Sequence, residues 1–183
     1  IAGLVRVVFV HHGTFCINSV AHTWGKQPYS NRHSARDSAL AAVLTYGEGY
    51  HNYHHEFPVD YRNGIRAWQY DPSKWMIWTL SKLGLARNLI RIPDEKILES
   101  KLEMKASQLK SGKEALEQAM EDFNTVAGEM KQTRKAYIKA QKEKAPVASE
   151  LRSTLKRKRK ALLAAYKNQK SRIREASRSA AVA

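Results

Sequence analysis

The chain has 183 residues, a formal net charge of +15 and a single cysteine, Cys16. This length can hold one or two domains, and a lone cysteine excludes an internal disulfide, which favours a reducing, cytosol-facing environment. Residues 145–183 carry eleven Lys and Arg against two Asp and Glu, whereas residues 1–94 carry ten against six. The positive excess is therefore mainly a property of the C-terminal segment.

The first predicted element is an apolar helix at the N-terminus. Residues 1–10 are apolar apart from Arg6, and residues 15–21 are largely apolar. Together they approach the length of a membrane-spanning helix, although two histidines and a glycine lie between them. We interpret the segment as the cytosolic end of a transmembrane helix whose beginning is missing. A buried helix of a soluble domain is the alternative.

A short segment dense in histidines follows a glycine-bracketed turn. His51, His54 and His55 are spaced i, i+3 and i+4, so they share one face of a helical turn, and His22 lies upstream with Asn18 one turn before it. Imidazole binds iron, copper, nickel and zinc. Structural zinc sites are usually rich in cysteine, which this chain lacks. A histidine-rich site beside a membrane helix indicates oxygen-activating iron, with zinc as the first alternative.

Residues 73–91 place tryptophans among basic residues. This pattern is typical of a helix at a membrane surface, and a soluble amphipathic helix fits it equally. Beyond Pro93, an apolar or aromatic residue recurs every seven positions, at Leu102, Leu109, Leu116, Phe123, Met130 and Tyr137. Such a repeat predicts a long helix that packs on a partner, although its mixed second seam makes the coiled coil weak or local.

Pro146 interrupts the helical pattern, and a second helix is predicted after it, so that the two form a hairpin. The second helix contains the run Lys156-Arg157-Lys158-Arg159-Lys160. This run fits a solvated helix face, adhesion to anionic lipid headgroups or nucleic-acid binding. Aromatic residues for base stacking are almost absent there, so lipid contact or helical self-association ranks above nucleic acid.

Several motifs together resemble one family over roughly residues 1–97. They are Asn18-Ser19-Val20-Ala21-His22, Arg36-Asp37, the segment from Gly47 to Pro58 (GEGYHNYHHEFP) and Asp60-Tyr61-Arg62. These motifs and their spacing resemble the C-terminal third of the integral-membrane acyl-CoA desaturases of the stearoyl-CoA Δ9 type. The family's fold implies an all-α chain that begins inside the fourth transmembrane helix and continues into a cytosolic cap.

The resemblance also implies which residues hold metal. His22, His51 and His55 would ligate one iron and His54 the other, with Asn18 holding a water on that second iron. No catalytic residue is expected beyond these ligands. His11, His12 and His33 lie outside the family's ligand pattern and are interpreted as ordinary helix-end and loop residues.

Further positions receive roles from their place beside these ligands. Phe15 falls where relatives often carry a tryptophan along the acyl tunnel, and is expected to line it. Glu48, Glu56, Asp37 and Asp60 are predicted acceptors for imidazole N–H groups, with a surface or capping role as the alternative for each.

The implied reaction is the O2-dependent introduction of a cis double bond into a fatty acyl-CoA or acyl-lipid at a centre of two iron ions. A separate cytochrome b5-like or ferredoxin-like protein would donate electrons. The enzyme would be integral to the membrane, with the histidine region and C-terminal tail facing the cytoplasm. The family's other histidine boxes, HxxxxH and HxxHH, do not occur upstream of His22, so this chain alone is expected to be inactive.

Three segments are predicted: 1–93 as the C-terminal part of the desaturase domain, 94–145 as a long heptad-patterned helix, and 146–183 as a basic helix and tail. The main alternative function is a non-enzymatic basic helical adaptor that binds a membrane surface or a partner protein. A zinc-binding soluble domain ranks third.

Overall fold

A computed structural model describes residues 1–107 and 113–182. Over these residues the regular secondary structure is helical, with only isolated β-bridges besides, which confirms the predicted all-α fold. The chain divides into two compact units, Ile1–Pro93 and Asp94–Ala183, called here the N-terminal unit and the C-terminal unit.

The N-terminal unit begins with α1 (Ala2–Asn18) and α2 (Val20–Thr23). Together Ala2–Thr23 form a 22-residue element that is long and apolar enough to cross a membrane by length and composition. No residue of α1 is buried within the structure. Its apolar side chains, such as Leu4 and Phe9, are therefore available to lipid.

A tight turn positions the helix that carries the histidines. α3 (Ala39–Leu44) precedes α4 (His51–Glu56), and Gly49 lies between them. A Cβ added to Gly49 would lie 2.0 Å from the backbone nitrogen of Ala42. Only glycine therefore allows the chain to pass this close to α3 as it enters α4.

The tryptophan-rich segment forms a shorter helix than its pattern predicts. α5 (Pro72–Lys82) begins at Asp71, whose side chain accepts a hydrogen bond from a backbone N–H of the first turn. The helix ends before Gly84, which has a φ of +76°, a left-handed conformation that does not continue a helix. Trp75 and Trp78 are exposed on α5, and its location at a membrane surface stays a prediction.

The C-terminal unit contains α6 (Asp94–Ser107), α7 (Lys113–Lys142) and α8 (Ala148–Val182). Their shared core consists of buried apolar side chains from all three helices: Leu98, Leu102, Phe123, Met130, Leu162 and Ile173. Leu155 and Tyr166 of α8 pack against this core as well. The apolar face predicted for the second helix of the hairpin is therefore the face that α8 buries.

Ion pairs show that the three helices run up, down and up. Glu95 of α6 binds Arg134 of α7, and Lys158 of α8 binds Glu129 of α7. Glu95 and Arg134 are 39 positions apart in sequence, which one straight helix would separate by about 59 Å. The prediction of one continuous helix over residues 94–145 is therefore wrong, because the chain reverses between α6 and α7.

The heptad positions still identify core residues where the structure describes them. Leu102, Phe123 and Met130 are buried, and Tyr137 is partly exposed. Leu109 and the side chain of Leu116 lie outside the described residues. After α7, Lys144 adopts a φ of +51° and α8 begins two residues after Pro146, so the predicted hairpin is present.

Candidate metal centre

Three imidazoles converge where α2 meets α4. Nε2 of His51 lies 3.1 Å from Nε2 of His22 and 3.1 Å from Nε2 of His55. One possible ligand atom from each of the three residues lies within 4.8 Å of the others. The i, i+4 spacing in α4 aligns His51 and His55 on one face, and α2 supplies His22 from 29 residues upstream. We call these residues the three-histidine cluster.

The contacts within the cluster fit a bound metal better than they fit hydrogen bonding. A neutral imidazole nitrogen carries either one hydrogen or one lone pair, so Nε2 of His51 cannot satisfy both of its neighbours well. Two imidazole nitrogens on one metal, at about 2.1 Å each and at right angles, lie about 3.0 Å apart. The observed 3.1 Å separations match that requirement. Three neutral nitrogen donors suit iron, zinc, copper or nickel.

Burial keeps the imidazoles of α4 in the neutral form that binds metal. Burial, and then the neighbouring imidazoles of the other histidines, lower the pKa of His51 to about 4. The same two causes lower the pKa of His55. Nδ1 of His51 is buried and has no hydrogen-bond partner among the described residues. A metal on Nε2 would place the proton on this orphaned Nδ1, so the site lacks one acceptor.

The loop before α3 supports the cluster through two residues. Nδ1 of His22 lies 2.8 Å from Oγ of Ser34, which fixes the ring so that its Nε2 points toward His51. The ring of His33 packs against that of His55, with centroids 5.0 Å apart. Both ring nitrogens of His33 are buried without a hydrogen-bond partner in the described part of the chain. His33 is therefore not the ordinary loop residue that the sequence indicated.

The remaining predicted ligands stand apart from the cluster. The ring centroid of His54 is 6.1 Å from that of His51 and 6.0 Å from that of His55. Asn18 is exposed at the C-terminal end of α1. Phe15 is 63% exposed, one turn before Asn18. A second iron at His54 and Asn18, and a tunnel at Phe15, stay predictions.

Three of the four predicted carboxylate acceptors bind other groups. Glu48 accepts a hydrogen bond from Asn63, Glu56 forms an ion pair with Arg32, and Asp60 binds Tyr53 and Arg62 as described below. The prediction that these carboxylates accept imidazole N–H groups is therefore wrong in the described contacts. Sequence proximity suggested the role, but nearby cations and amides compete for the same oxygens.

Asp37 accepts hydrogen bonds from the backbone N–H groups of Asn52 and Tyr53, at 2.9 and 3.1 Å. These groups belong to the first turn of α4, which has no intrahelical acceptors for them. The negative charge is also favourable at a helix N-terminus. Asp37 therefore has the capping role that the sequence left open, and it orients the helix that carries the histidines.

A buried polar network fixes the opposite side of α4. The carboxylate of Asp60 accepts hydrogen bonds from the Tyr53 hydroxyl at 2.7 Å, from the Arg62 guanidinium and from the backbone N–H of Ile92. Burial acts to raise the pKa of Asp60, but these hydrogen bonds outweigh it, so the net pKa is lowered. The charged pair is satisfied on both sides, as a buried pair must be.

Comparison with known proteins now bears on this site. Residues 2–88 match the model of the fatty acid desaturase family. The "Probable acyl-CoA desaturase" of Schizosaccharomyces pombe is 51% identical over 108 residues, which are 59% of this chain and 22% of the relative. "Acyl-CoA desaturase 1" of Saccharomyces cerevisiae is 45% identical over 112 residues, which are 61% of this chain and 22% of the relative.

A Delta(9)-fatty-acid desaturase of Caenorhabditis elegans is 41% identical over 95 residues, which are 52% of this chain and 28% of the relative. The chain thus spans between 22% and 28% of the length of these relatives. All three residues of the three-histidine cluster lie inside the matched segment. The N-terminal part of this chain therefore belongs to the fatty acid desaturase family.

Proposed function

We propose that this chain supplies one wall of a di-iron centre in a fatty acid desaturase, which introduces a cis double bond into a fatty acyl chain with O2. The convergence of three Nε2 atoms from His22, His51 and His55 carries the proposal. A cluster built from two helices, at the end of an apolar helix and inside a desaturase segment, has few structural uses other than holding metal.

The residues divide the work of holding two irons. His22, His51 and His55 would hold one iron, while His54 and, through a water, Asn18 would contribute to the other. Iron supplies the activation of O2 needed to take hydrogen from an unactivated methylene. The protein orients the acyl chain and excludes water. Ser34 and Asp37 support this arrangement by fixing the His22 ring and the start of α4.

The centre is incomplete without further ligands. The orphaned Nδ1 of His51 supports this, because a buried imidazole N–H on a metal ligand normally has an acceptor. We propose that the missing ligands and this acceptor come from polypeptide outside these 183 residues, so that the chain alone does not turn over.

The names of the relatives favour fatty acyl-CoA as substrate, with acyl-lipid as the alternative. A separate electron donor of the cytochrome b5 or ferredoxin type would reduce the irons. The apolar element Ala2–Thr23 supports an integral-membrane location. The lone Cys16 supports a cytoplasmic position for the histidine region and the C-terminal unit.

A chimera tests this function. Residues 1–93 would replace the homologous segment of Acyl-CoA desaturase 1 in a yeast strain that lacks desaturase activity, and gas chromatography would measure unsaturated fatty acids. We expect the chimera to form double bonds, and His51→Ala and His55→Ala to abolish them. His12→Ala is the matched control, because His12 is exposed on α1, and it should keep activity.

Two results would contradict the proposal. The first is full activity of the chimera carrying both alanine substitutions in α4. The second is a chimera that is folded and membrane-inserted but forms no double bonds. Turnover by the 183-residue chain alone would contradict only the claim that its centre is incomplete.

A further inference from the structure

The C-terminal unit carries a continuous basic stripe along α8. At about 100° of rotation per residue, six residues fall on one side of the helix: Arg152, Lys156, Lys160, Lys167, Lys170 and Arg174. Five of them are exposed and Lys170 is half-buried. The stripe covers 22 residues, which is about 33 Å of helix. It lies beside the buried core face, so it is a separate surface of the bundle.

The stripe holds cations without acidic residues from its own helix. Glu150 and Glu175 are the acidic residues of α8, and both lie roughly 100° or more around the helix from the centre of the stripe. Lys105 of α6 extends the positive surface. Burial and then the nearby charges of Lys170 and Arg174 lower the pKa of Lys105. This gathering of like charges from two helices costs free energy unless an anion neutralises it.

The acids that the structure pairs with α8 bind beside the stripe. Asp94 of α6 is bonded to Arg159, and Glu129 and Asp122 of α7 pair with Lys158 and Arg172. None of these three cations is a stripe residue. The ion pairs therefore hold the bundle together, whereas the stripe points to a partner outside it.

We propose that this stripe docks on an anionic lipid bilayer. Leu163 lies within the stripe and is 40% exposed, so it can enter the headgroup region while the surrounding lysines bind phosphates. Nucleic acid fits less well, because single strands are bound through stacking aromatics, and Tyr166 is packed against the core. The chain also contains a candidate membrane-spanning helix, which would hold the C-terminal unit near a bilayer at high effective concentration.

Docking of this kind would be independent of the metal centre. It needs the basic stripe and an anionic bilayer, and neither iron nor turnover enters it. Failure of the desaturase proposal would therefore leave it standing, and its own failure would leave the desaturase proposal standing.

The test uses the full chain in nanodiscs. Cys16→Ser removes the native thiol, and Leu163→Cys provides one site for an environment-sensitive fluorophore. Emission is compared in nanodiscs of phosphatidylcholine alone and of phosphatidylcholine with phosphatidylserine, over a salt titration. The stripe variant is Lys160→Gln with Lys167→Gln. The matched control is Arg157→Gln with Arg172→Gln, which removes the same charge from other sides of α8.

We expect a blue shift in the anionic nanodiscs only, which salt reverses. At about 1 kcal/mol per basic residue, the stripe variant should lower the ratio of docked to undocked unit roughly 30-fold, and the control should change it little. Equal emission in both kinds of nanodisc would overturn the proposal, as would equal losses in the two variants. A shift produced by a DNA duplex and not by anionic lipid would also overturn it.

Discussion

Asn52 lies between two metal-ligand candidates in the HNYHH motif, yet its side chain holds a loop instead of a metal. Its Oδ1 accepts hydrogen bonds from the backbone N–H groups of Tyr29 and Ser30, at 2.9 and 3.3 Å. Its Nδ2 donates to the carbonyl oxygens of Ser30 and Ala35, at 2.7 and 2.9 Å. The side chain is fully buried, so water cannot replace these four bonds.

Replacing Asn52 with alanine should destabilise the N-terminal unit strongly. Four lost hydrogen bonds at about 1 kcal/mol each predict a loss of about 4 kcal/mol in the free energy of unfolding. All four tryptophans lie in residues 1–93, so denaturant unfolding followed by tryptophan emission reports on this unit. Asn31→Ala is the matched control, because Asn31 is exposed in the same loop, and it should cost no more than about 0.5 kcal/mol.

The loop that Asn52 holds includes Ser34, so Asn52→Ala should also weaken metal binding at the three-histidine cluster. A loss of stability below about 1 kcal/mol would refute the reasoning, because it would mean that the four bonds contribute no more than one ordinary bond. Equal losses in Asn52→Ala and Asn31→Ala would refute it too.

Three further predictions concern the surroundings of the cluster. Tyr53→Phe removes a buried donor to Asp60 and should cost about 1–3 kcal/mol of unfolding free energy, measured by denaturant titration. The lowered pKa of Asp60 stabilises the fold above pH 3.8, its ordinary value, and this contribution is lost as the pH falls through the folded-state pKa; unfolding measured against pH checks it. Ser34→Ala should lower Co2+ affinity about 10-fold or more, because His22 loses its Nδ1 partner.

Each of these three predictions has its own control. Tyr46→Phe alters an exposed tyrosine, and a cost equal to that of Tyr53→Phe would contradict the buried-bond argument. Asp60→Asn should lose less stability on acidification than the wild type, and an identical pH dependence would exclude Asp60 as the source. Ser73→Ala alters an exposed serine on α5; if it weakens Co2+ binding as much as Ser34→Ala, the His22–Ser34 contact is not the cause.

The sequence predicted the parts of the site that depend on helical periodicity. The i, i+4 spacing of His51 and His55 was enough to place both on one face of α4. His22 was assigned only through the family resemblance, because no local period connects it to α4. The roles of His33 and Ser34 could not be read, since they depend on the path of an irregular loop that Asn52 holds from within.

The same limit applies to the C-terminal unit. The seven-residue repeat correctly selected Leu102, Phe123 and Met130 as buried residues. It could not show that the chain reverses between Leu102 and Phe123, because helices of a bundle bury the same heptad positions as one long supercoiled helix. The ion pair between Glu95 and Arg134 carries that information, and pairing partners 39 positions apart leave no periodic signal.

Metal binding by the purified full chain tests the central claim most directly. Titration with Co2+, followed by its visible absorption, should show a site that His22→Ala, His51→Ala and His55→Ala each weaken at least about 10-fold. His12→Ala should leave the affinity unchanged. Retention of wild-type Co2+ affinity after all three cluster residues are replaced together would contradict the claim that this cluster is part of a metal centre.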